Sequence, residues 1–278
     1  STFNSMVSVG RSGVPCKFMG YTGNNKVGHQ IVEFMHRNGI STEYFQVRDN
    51  ERAAISLAYL DSNGDADYTF YKEEPLAATD YSMPEFTDRD YFLFGSYYSI
   101  CPGLRPQVKD IRHAAHRAGT VIYYDINFRR SHIHQKQELL PVIQENCRLS
   151  SIVRGSADDF DILFGTRDPE EIYRKHISPF CPIFICTAGA GHIFICTPKG
   201  TYDFIVPQIP ANEIVSTVGA GDSFNAGFLC AMHRQAICKA DLADMSHNQW
   251  KLLVEHGIKY SSQVCRSQDN YIKPLSDK

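Results

Sequence analysis

The chain has 278 residues and is 43% hydrophobic, which is enough for one large α/β domain or two small ones and excludes global disorder. Its 28 basic and 31 acidic residues nearly balance, which argues against nucleic acid or an anionic membrane surface as the main partner. The longest stretch without Asp, Glu, Lys or Arg, residues 176–198, contains three prolines and two glycines. We therefore expect no membrane-spanning helix.

Cysteine usage indicates a reducing compartment. The nine cysteines are an odd number, none of them forms a C-x-x-C pair, and their spacings match no zinc pattern. Several lie in apolar runs, such as Cys186 and Cys196, where cysteine behaves as a small hydrophobic residue. We expect a cytoplasmic protein.

Strand-like and helix-like patterns alternate along the chain. Helical periodicity covers residues 27–38 and 103–118, and a glycine follows each of these segments. Short apolar runs predict strands at 16–20, 91–95, 121–126 and 152–153. This β-then-α order predicts a largely parallel sheet with helices on both faces.

Residues 43–72 break the pattern, because they show period-two alternation and no helical period. A turn signal at 62–65 separates two alternating runs, which predicts a β-hairpin inserted into the α/β domain. Two interpretations stand: an additional pair of strands in the main sheet, or a small β lid over a site. A second hairpin is predicted at 183–197.

A glycine turn followed by an acid marks the candidate site. Gly219, Ala220 and Gly221 precede Asp222 at the predicted start of a helix. Free N–H groups and a partial positive charge at a helix N-terminus suit a phosphate, and glycine lets the ligand approach the backbone. Asp222 is then either a helix-capping acid or a general base beside a transferring phosphoryl group. Neither the P-loop pattern nor the G-x-G-x-x-G pattern of dinucleotide-binding proteins occurs in the chain.

The segment 216–228, STVGAGDSFNAGF, closely resembles the second signature of the ribokinase-like, phosphofructokinase-B type sugar kinases. The opening segment 1–15 resembles the first signature of that family after its leading glycine pair, and the resemblance continues through 20–28, 125–129 and 187–191. It implies a three-layer α/β/α fold with a mostly parallel central sheet and a small β lid. The implied core comprises 1–42 and 74–278, the implied lid is 43–73, and a strand is expected ahead of Ser1.

The resemblance also implies roles for individual residues. Asp222 is the implied catalytic base, and the amides of Gly219, Ala220 and Gly221 form the implied anion hole for the transferred phosphoryl group. The remaining implied contacts are Asn4, Asn127 and Arg129 with the sugar, and Thr187, Gly189, Gly191 and Thr217 with ATP. Each has a plainer alternative: a helix cap for Asn4, loop-anchoring hydrogen bonds at 127 and 129, and an ordinary hairpin at 187–191.

Two motifs depart from the family pattern. Ser156 and Asp159 stand where the family has the asparagine and glutamate of a motif that organises Mg²⁺ and its waters. Asp159 keeps the negative charge of the glutamate on a shorter side chain, so we expect it to hold Mg²⁺ through a water molecule. Ser216 replaces an acid that contributes to a monovalent-cation site in related kinases, which puts activation by potassium in doubt.

Three functional hypotheses follow. The first is an ATP-dependent kinase acting on a primary hydroxyl of a small sugar such as fructose or ribose, with a deoxy-keto sugar acid as a further option through Arg129. The second is a nucleoside kinase of the same superfamily, and the third is a non-catalytic sugar- or nucleotide-binding regulator. Exposed strands of the lid also predict a homodimer that pairs through them.

Overall fold

The computed structural model describes residues 1–49, 51–60, 66–71 and 81–274. The helices are Thr2–Arg11 (α1), Lys26–Arg37 (α2), Ser96–Ile100 (α3), Arg105–Arg117 (α4), Lys136–Arg148 (α5), Ala157–Phe164 (α6), Pro169–Ile172 (α7), Ala220–Arg234 (α8) and His247–Cys265 (α9). The strands are Cys16–Lys17 (β1), Gly20–Gly23 (β2), Ile40–Ser41 (β3), Phe45–Arg48 (β4), Ile55–Leu60 (β5), Ala66–Tyr71 (β6), Tyr91–Gly95 (β7), Val121–Asp125 (β8), Ile152–Ser156 (β9), Phe184–Ala188 (β10), His192–Thr197 (β11) and Gly200–Ile205 (β12).

A six-stranded sheet in the order β12-β11-β10-β9-β8-β7 forms the centre of the fold. Strands β7 to β10 are parallel, and β11 and β12 continue the sheet as antiparallel strands. Helices follow β7, β8 and β9, because a connection between parallel neighbours has to cross back over the sheet. This arrangement confirms the predicted α/β fold, and β10 and β11 form the hairpin predicted at 183–197.

Both faces of the sheet are buried. On one face Tyr124, Val153 and Phe184 pack with residues of α3 to α6, and on the other face Tyr123, Ile152 and Ile185 pack with residues of α8 and α9. Strands covered on both sides read as nearly continuous apolar runs. A charged residue inside such a strand is therefore an exception that needs a partner.

Two of the predicted strands differ from the observed ones. The segment 16–20 was expected to be one strand, but Cys16 pairs with Ile40 in β3 whereas Gly20 pairs with Phe45 in β4. The chain changes partner between them, and no local pattern reveals a change of partner. The strand expected at 152–153 extends to Ser156, because its polar end pairs with the neighbouring strand β10.

The predicted helices are close to those observed. The segment 27–38 corresponds to α2, which begins after Asn25, whose side chain accepts a hydrogen bond from the N–H of Gly28. The segment 103–118 corresponds to α4, which a short 3-10 turn precedes at Pro102–Leu104. In both helices the amphipathic spacing located the element, and in α2 the Asn25 cap sets its start.

The hairpin expected in the region 43–72 is present as the antiparallel pair β5 and β6, which forms its own two-stranded sheet. This separation rules out the alternative of two further strands in the main sheet. The turn predicted at 62–65 lies outside the described residues. Ile55, Leu57, Tyr59 and Tyr71 are between 42% and 59% exposed, so the hairpin presents an apolar surface.

A cavity of about 1110 Å³ separates the large sheet from the small sheets. It borders β7, which ends the order of the large sheet, and its lining includes Phe18, Phe45, Phe92 and Leu229. The strand expected ahead of Ser1 stays a prediction.

All nine cysteines are free thiols, six of them buried and three half-buried. Cys230 on α8 shares a hydrogen bond with the hydroxyl of Ser12 at 3.1 Å. Among the described residues, no helix combines the length with the apolar character that a bilayer span requires.

Candidate active site

The turn that leads into α8 has a conformation that favours glycine. Gly219 has φ of +83°, in the left-handed region, and is the N-cap of the helix. A Cβ atom at this position would lie 2.5 Å from the carbonyl oxygen of Asn270. Both the backbone angle and the close approach therefore exclude a side chain at residue 219.

The amides of this turn are only partly available to a ligand. The N–H of Ala220 donates to the carbonyl of Thr217 at 3.2 Å, which closes the turn. Within the described ranges, no hydrogen bond takes the N–H of Gly219 or of Gly221. These two donors lie at the positive end of the α8 dipole, where an anion is stabilised.

Asp222 lies in the first turn of α8 and contacts the opening helix of the chain. The Nδ2 atom of Asn4 donates to Oδ2 of Asp222 at 2.9 Å, and the hydroxyl of Ser5 donates to the Asp222 carbonyl at 2.9 Å. The Asp222 side chain is 12% exposed. The fold thus brings together two predicted residues that are 218 positions apart, and the carboxylate retains a small opening to solvent.

A buried ion pair lies next to this turn, at the carboxyl ends of the parallel strands. Arg154 of β9 donates from Nη1 to Oδ1 of Asp125 in β8 at 3.0 Å and from Nη2 to Oγ1 of Thr187 in β10 at 2.8 Å. The sheet register explains this contact, because Asp125 pairs with Arg154 and Thr187 pairs with Ser156, two residues further along β9. The three side chains therefore project from the same face of the sheet, the face that α8 covers.

A second layer of hydrogen bonds fixes the Asp125 carboxylate. Its Oδ2 atom accepts from Asn225 of α8 at 2.9 Å, and Asn225 in turn accepts from the Tyr123 hydroxyl at 3.0 Å. Burial lowers the pKa of Arg154, but Asp125, Tyr123 and Asp159 together raise it by more, so the net pKa is raised. The guanidinium consequently stays charged and paired.

Asn127 and Ser96 meet just beyond the ends of β8 and β7. Both have positive φ, of +40° and +53°, which is uncommon for residues with a side chain. Asn127 Nδ2 donates to the Ser96 hydroxyl at 2.9 Å. Strained backbone of this kind is found at functional sites that the surrounding structure holds in place. Arg129, two residues further on, is exposed, and among the described residues no hydrogen bond or ion pair joins its side chain to Asp222.

The residues predicted on the nucleotide side lie on two loops. Gly189 and Gly191 form the turn between β10 and β11, where the Gly191 N–H donates to the Ala188 carbonyl at 3.2 Å. Thr217 is exposed and supplies the carbonyl that closes the α8 turn. Of these predicted residues, Thr187 at the end of β10 is the one that is hydrogen-bonded to the buried ion pair.

Asp159 takes part in capping α6. Its Oδ2 atom accepts from both the N–H and the hydroxyl of Ser156 at 2.7 Å, while the Ser156 hydroxyl accepts from the Asp159 N–H. Burial raises the pKa of Asp159, and the hydrogen bonds from Ser156 oppose that rise. In the part of the chain that the structure describes, no group of three or more His, Cys, Asp or Glu side chains is arranged to hold a metal ion. The single carboxylate of Asp159 fits a cation that is held mainly by phosphate oxygens and water, as is usual for Mg²⁺.

Ser216, at the start of the glycine turn, has a structural contact of its own. Its hydroxyl accepts from the N–H of Val218 at 3.2 Å, and its N–H donates to the Cys265 carbonyl at 3.3 Å. The serine therefore shapes the loop that leads to Gly219.

The sequence analysis did not identify Arg154 and Asp125 as a pair. The signal was present, because Arg154 interrupts the run Ile152–Ser156 of a strand that is buried on both faces. A charge in such a run requires a buried partner, and Asp125 at the end of the neighbouring apolar run was the available carboxylate. Which strands are neighbours is a property of the fold, and the fold made the pairing visible.

Comparison with known proteins agrees with this geometry. The structure of aminoimidazole riboside kinase from Salmonella enterica, complexed with aminoimidazole riboside and an ATP analog, superposes with a TM-score of 0.80 at 21% identity, covering 95% of this chain and 84% of that one. Such similarity at low identity shows a shared ribokinase-like fold, which confirms the predicted three-layer architecture.

The sequence comparison goes further. The family model for the pfkB family carbohydrate kinases matches residues 1–267, so the chain belongs to that family and is a carbohydrate kinase. Among curated relatives, aminoimidazole riboside kinase of Salmonella typhimurium is 26% identical over 236 residues, covering 83% of this chain and 72% of the relative. The 5-dehydro-2-deoxygluconokinase of Geobacillus kaustophilus is 26% identical over 240 residues, covering 82% of this chain and 70% of the relative.

Proposed function

We propose that the chain transfers the γ-phosphoryl group of ATP to a primary hydroxyl of a small sugar, with Asp222 as the general base. The observation that carries the proposal is the contact between Asn4 and Asp222 at 2.9 Å. An amide side chain beside a carboxylate can bind one hydroxyl of a sugar and orient a second toward the base. Proton transfer is then to Oδ of Asp222, as the new oxygen–phosphorus bond forms.

The α8 turn is suited to the other half of the reaction. The N–H groups of Gly219 and Gly221, which have no partner among the described residues, lie within three residues of the base in the sequence, and in this proposal they stabilise charge on the transferred phosphoryl group. Phosphoryl transfer depends mainly on positioning and charge stabilisation, so this adjacency supplies what the chemistry requires. Mg²⁺, when bound, neutralises charge on the ATP phosphates, and Asp159 would hold it through water.

The hairpin β5–β6 is the lid in this proposal. It forms a sheet of its own, and its strands lie within the predicted lid range 43–73. A lid that closes over the sugar excludes water, which favours transfer to the sugar over hydrolysis of ATP. The reaction takes place in the cytoplasm in this proposal, since all nine cysteines are free.

The choice of sugar is tested with a panel. Two substrate classes come from the relatives' names, a riboside and a dehydro-deoxygluconate, and fructose and ribose come from the sequence analysis. The assay couples ADP release to each of the four compounds in turn. Sugar-dependent ADP release with fructose or ribose supports the proposal, and turnover confined to the riboside favours the nucleoside kinase alternative.

Asp222→Asn separates catalysis from binding. Asparagine keeps the contact with Asn4 but cannot accept the proton, so kcat is expected to fall at least about 100-fold with the same sugar. The matched control is Asp244→Asn, since Asp244 is an exposed aspartate whose ion pair is with Lys199. Wild-type turnover in Asp222→Asn contradicts the proposed base. Sugar-induced thermal stabilisation without ADP release, in the wild-type chain, would instead support the non-catalytic regulator.

A further inference from the structure

Arg154 touches three elements of the site at once. Its guanidinium is hydrogen-bonded to Asp125 at the end of β8 and to Thr187 at the end of β10. A Cβ atom on Gly221 would lie 3.0 Å from Nη2 and 3.3 Å from Nη1, so the guanidinium also packs against the α8 turn. The residue after Gly221 is the proposed base, Asp222.

The charge of Arg154 is already compensated. Asp125 binds it at 3.0 Å, and the nearby Asp159 carboxylate also interacts with it electrostatically. A guanidinium neutralised in this way adds little net attraction for the phosphates of ATP. Its contribution to the site is therefore geometric, because the planar fork holds fixed directions toward two partners.

The hydrogen bond to Thr187 determines what that hydroxyl can do. Oγ1 of Thr187 accepts from Arg154 at 2.8 Å, so its own hydrogen remains to be donated elsewhere. Thr187 is half-buried and lies on the side of the site that we assign to the nucleotide. An oriented hydroxyl donor at this place suits an oxygen of the ATP phosphates.

We propose that Arg154 is a positioning residue for phosphoryl transfer, which holds the Thr187 hydroxyl and the Gly221 backbone in one arrangement around the terminal phosphate. This inference rests on the proposed kinase function. The hydrogen bond from Asn225 fixes Asp125, and Asp125 in turn restrains the guanidinium. All the residues that take part belong to rigid strands or to α8. The arrangement links the sugar-side strand end, the nucleotide-side strand end and the catalytic turn.

A double-mutant cycle tests the inference. Arg154→Lys keeps a charge beside Asp125 but loses the fork, and Thr187→Val removes the acceptor at nearly constant volume. Each single variant is expected to lower kcat at least about tenfold, with the KM for the sugar within about threefold of the wild-type value. Because both substitutions break the same contact, the double variant is expected to lose no more than the worse single variant. Thr187→Ser, which retains the hydroxyl, is expected to restore most of the turnover.

Arg112 is the matched control. Like Arg154, it is buried, and its Nε atom has no hydrogen-bond partner among the described residues. Its guanidinium donates to Asn146 on α5, away from the α8 turn. Arg112→Lys is expected to keep the wild-type kcat per folded molecule. If it loses as much kcat as Arg154→Lys, the loss is a general result of replacing a buried arginine and the inference is wrong.

The remaining outcomes are also decisive. Losses that multiply in the double variant, or wild-type kcat in Thr187→Val, overturn this inference and leave the proposed function standing. Absence of sugar-dependent ADP release in the wild-type chain overturns both. Where Arg154→Lys does not fold, Arg154→Met combined with Asp125→Asn removes both buried charges together and takes its place in the cycle. Adding Thr187→Val to that pair is then expected to lower kcat no further, and a further loss overturns the inference.

Discussion

Charged side chains are usually exposed and apolar ones buried. The carboxyl end of the large sheet departs from the first rule, and the hairpin β5–β6 departs from the second. At the sheet end, Asp125 and Arg154 are charged and almost completely buried. On the hairpin, Leu57 and Tyr59 are apolar and 42% and 59% exposed. In the first region the exception is compensated by partners, since the carboxylate and the guanidinium are hydrogen-bonded to each other and to neighbours.

In the hairpin, the exception has no compensation within the described part of the chain. A two-stranded sheet is marginally stable by itself, and an exposed apolar face gains free energy only when something covers it. Buried polar groups with partners therefore mark the rigid part of the candidate site, and we predict that another chain covers the exposed apolar surface of the hairpin.

The largest expected effect comes from a substitution in the α8 turn, where another segment of backbone approaches most closely. Gly219→Ala imposes a left-handed φ of +83° on a residue with a side chain and places its Cβ 2.5 Å from a backbone oxygen. We expect the free energy of unfolding to fall by about 3 kcal/mol and turnover to fall at least about tenfold. Urea denaturation and the ADP-release assay measure the two effects.

Gly165→Ala is the control for that substitution. Gly165 has a similar φ of +72°, but nothing lies within 4 Å of the Cβ position. It is expected to cost about 1 kcal/mol with unchanged turnover. Equal losses in the two variants would show that the close approach to Asn270 has no energetic effect.

The second prediction concerns the exposed apolar face. We expect two chains to associate through their hairpins, so Leu57→Lys should shift the molecule from dimer to monomer in light scattering. The free energy of unfolding of the monomer should change by less than about 0.5 kcal/mol, because the side chain is exposed. Ile205→Lys on β12 is the control, since Ile205 is 76% exposed at a distant strand. A monomeric wild-type chain at high concentration would contradict the prediction.

The smallest expected effect comes from a buried side-chain nitrogen that, unlike the buried ion pair, has no hydrogen-bond partner among the described residues. The Nδ1 atom of His256 on α9 is buried and has no hydrogen-bond partner among the described residues. Burial lowers the pKa of His256 below its ordinary value of 6.5, so the unfolded chain binds the proton more readily than the folded one. Stability is therefore retained above about pH 6.5 and falls as the pH drops through the lowered pKa.

Thermal unfolding of His256→Gln between about pH 5 and 7 measures that contribution. The variant should lose less stability on acidification than the wild-type chain does. His134→Gln, which replaces an exposed histidine, should follow the wild-type curve. Identical slopes in the His256 variant and the wild-type chain would show that His256 makes no difference to acid stability.

Local sequence predicted those parts of the fold that local forces determine. The helix α2 follows from amphipathic spacing and its Asn25 cap, and the Gly219 turn follows from the glycine pattern. Asp222 and Asn4 were identified as site residues from motifs at opposite ends of the chain, and their direct contact agrees with both motifs serving one site. The functional roles themselves await the experiments above.

The rest depends on which strands are neighbours. The segment 16–20 divides into β1 and β2 because its two ends pair with different strands, and the ion pair of Arg154 exists because β8 lies beside β9. Arg129 is exposed beyond the end of β8, and its contact with the sugar stays a prediction. Pairing of this kind is set by tertiary packing, and a single sequence gives little information about it.

The free thiols have a practical consequence for following the α8 turn in solution. Cys230 lies on the same helix as Asp222, and burial raises its pKa, so its sulfur is both shielded and mostly protonated at neutral pH. Burial likewise raises the pKa of Cys186 to about 12. Alkylating reagents should therefore react slowly with these sulfurs, and the labelling rate of Cys230, which lines the cavity of about 1110 Å³, measures how readily a reagent reaches the helix that carries the proposed base.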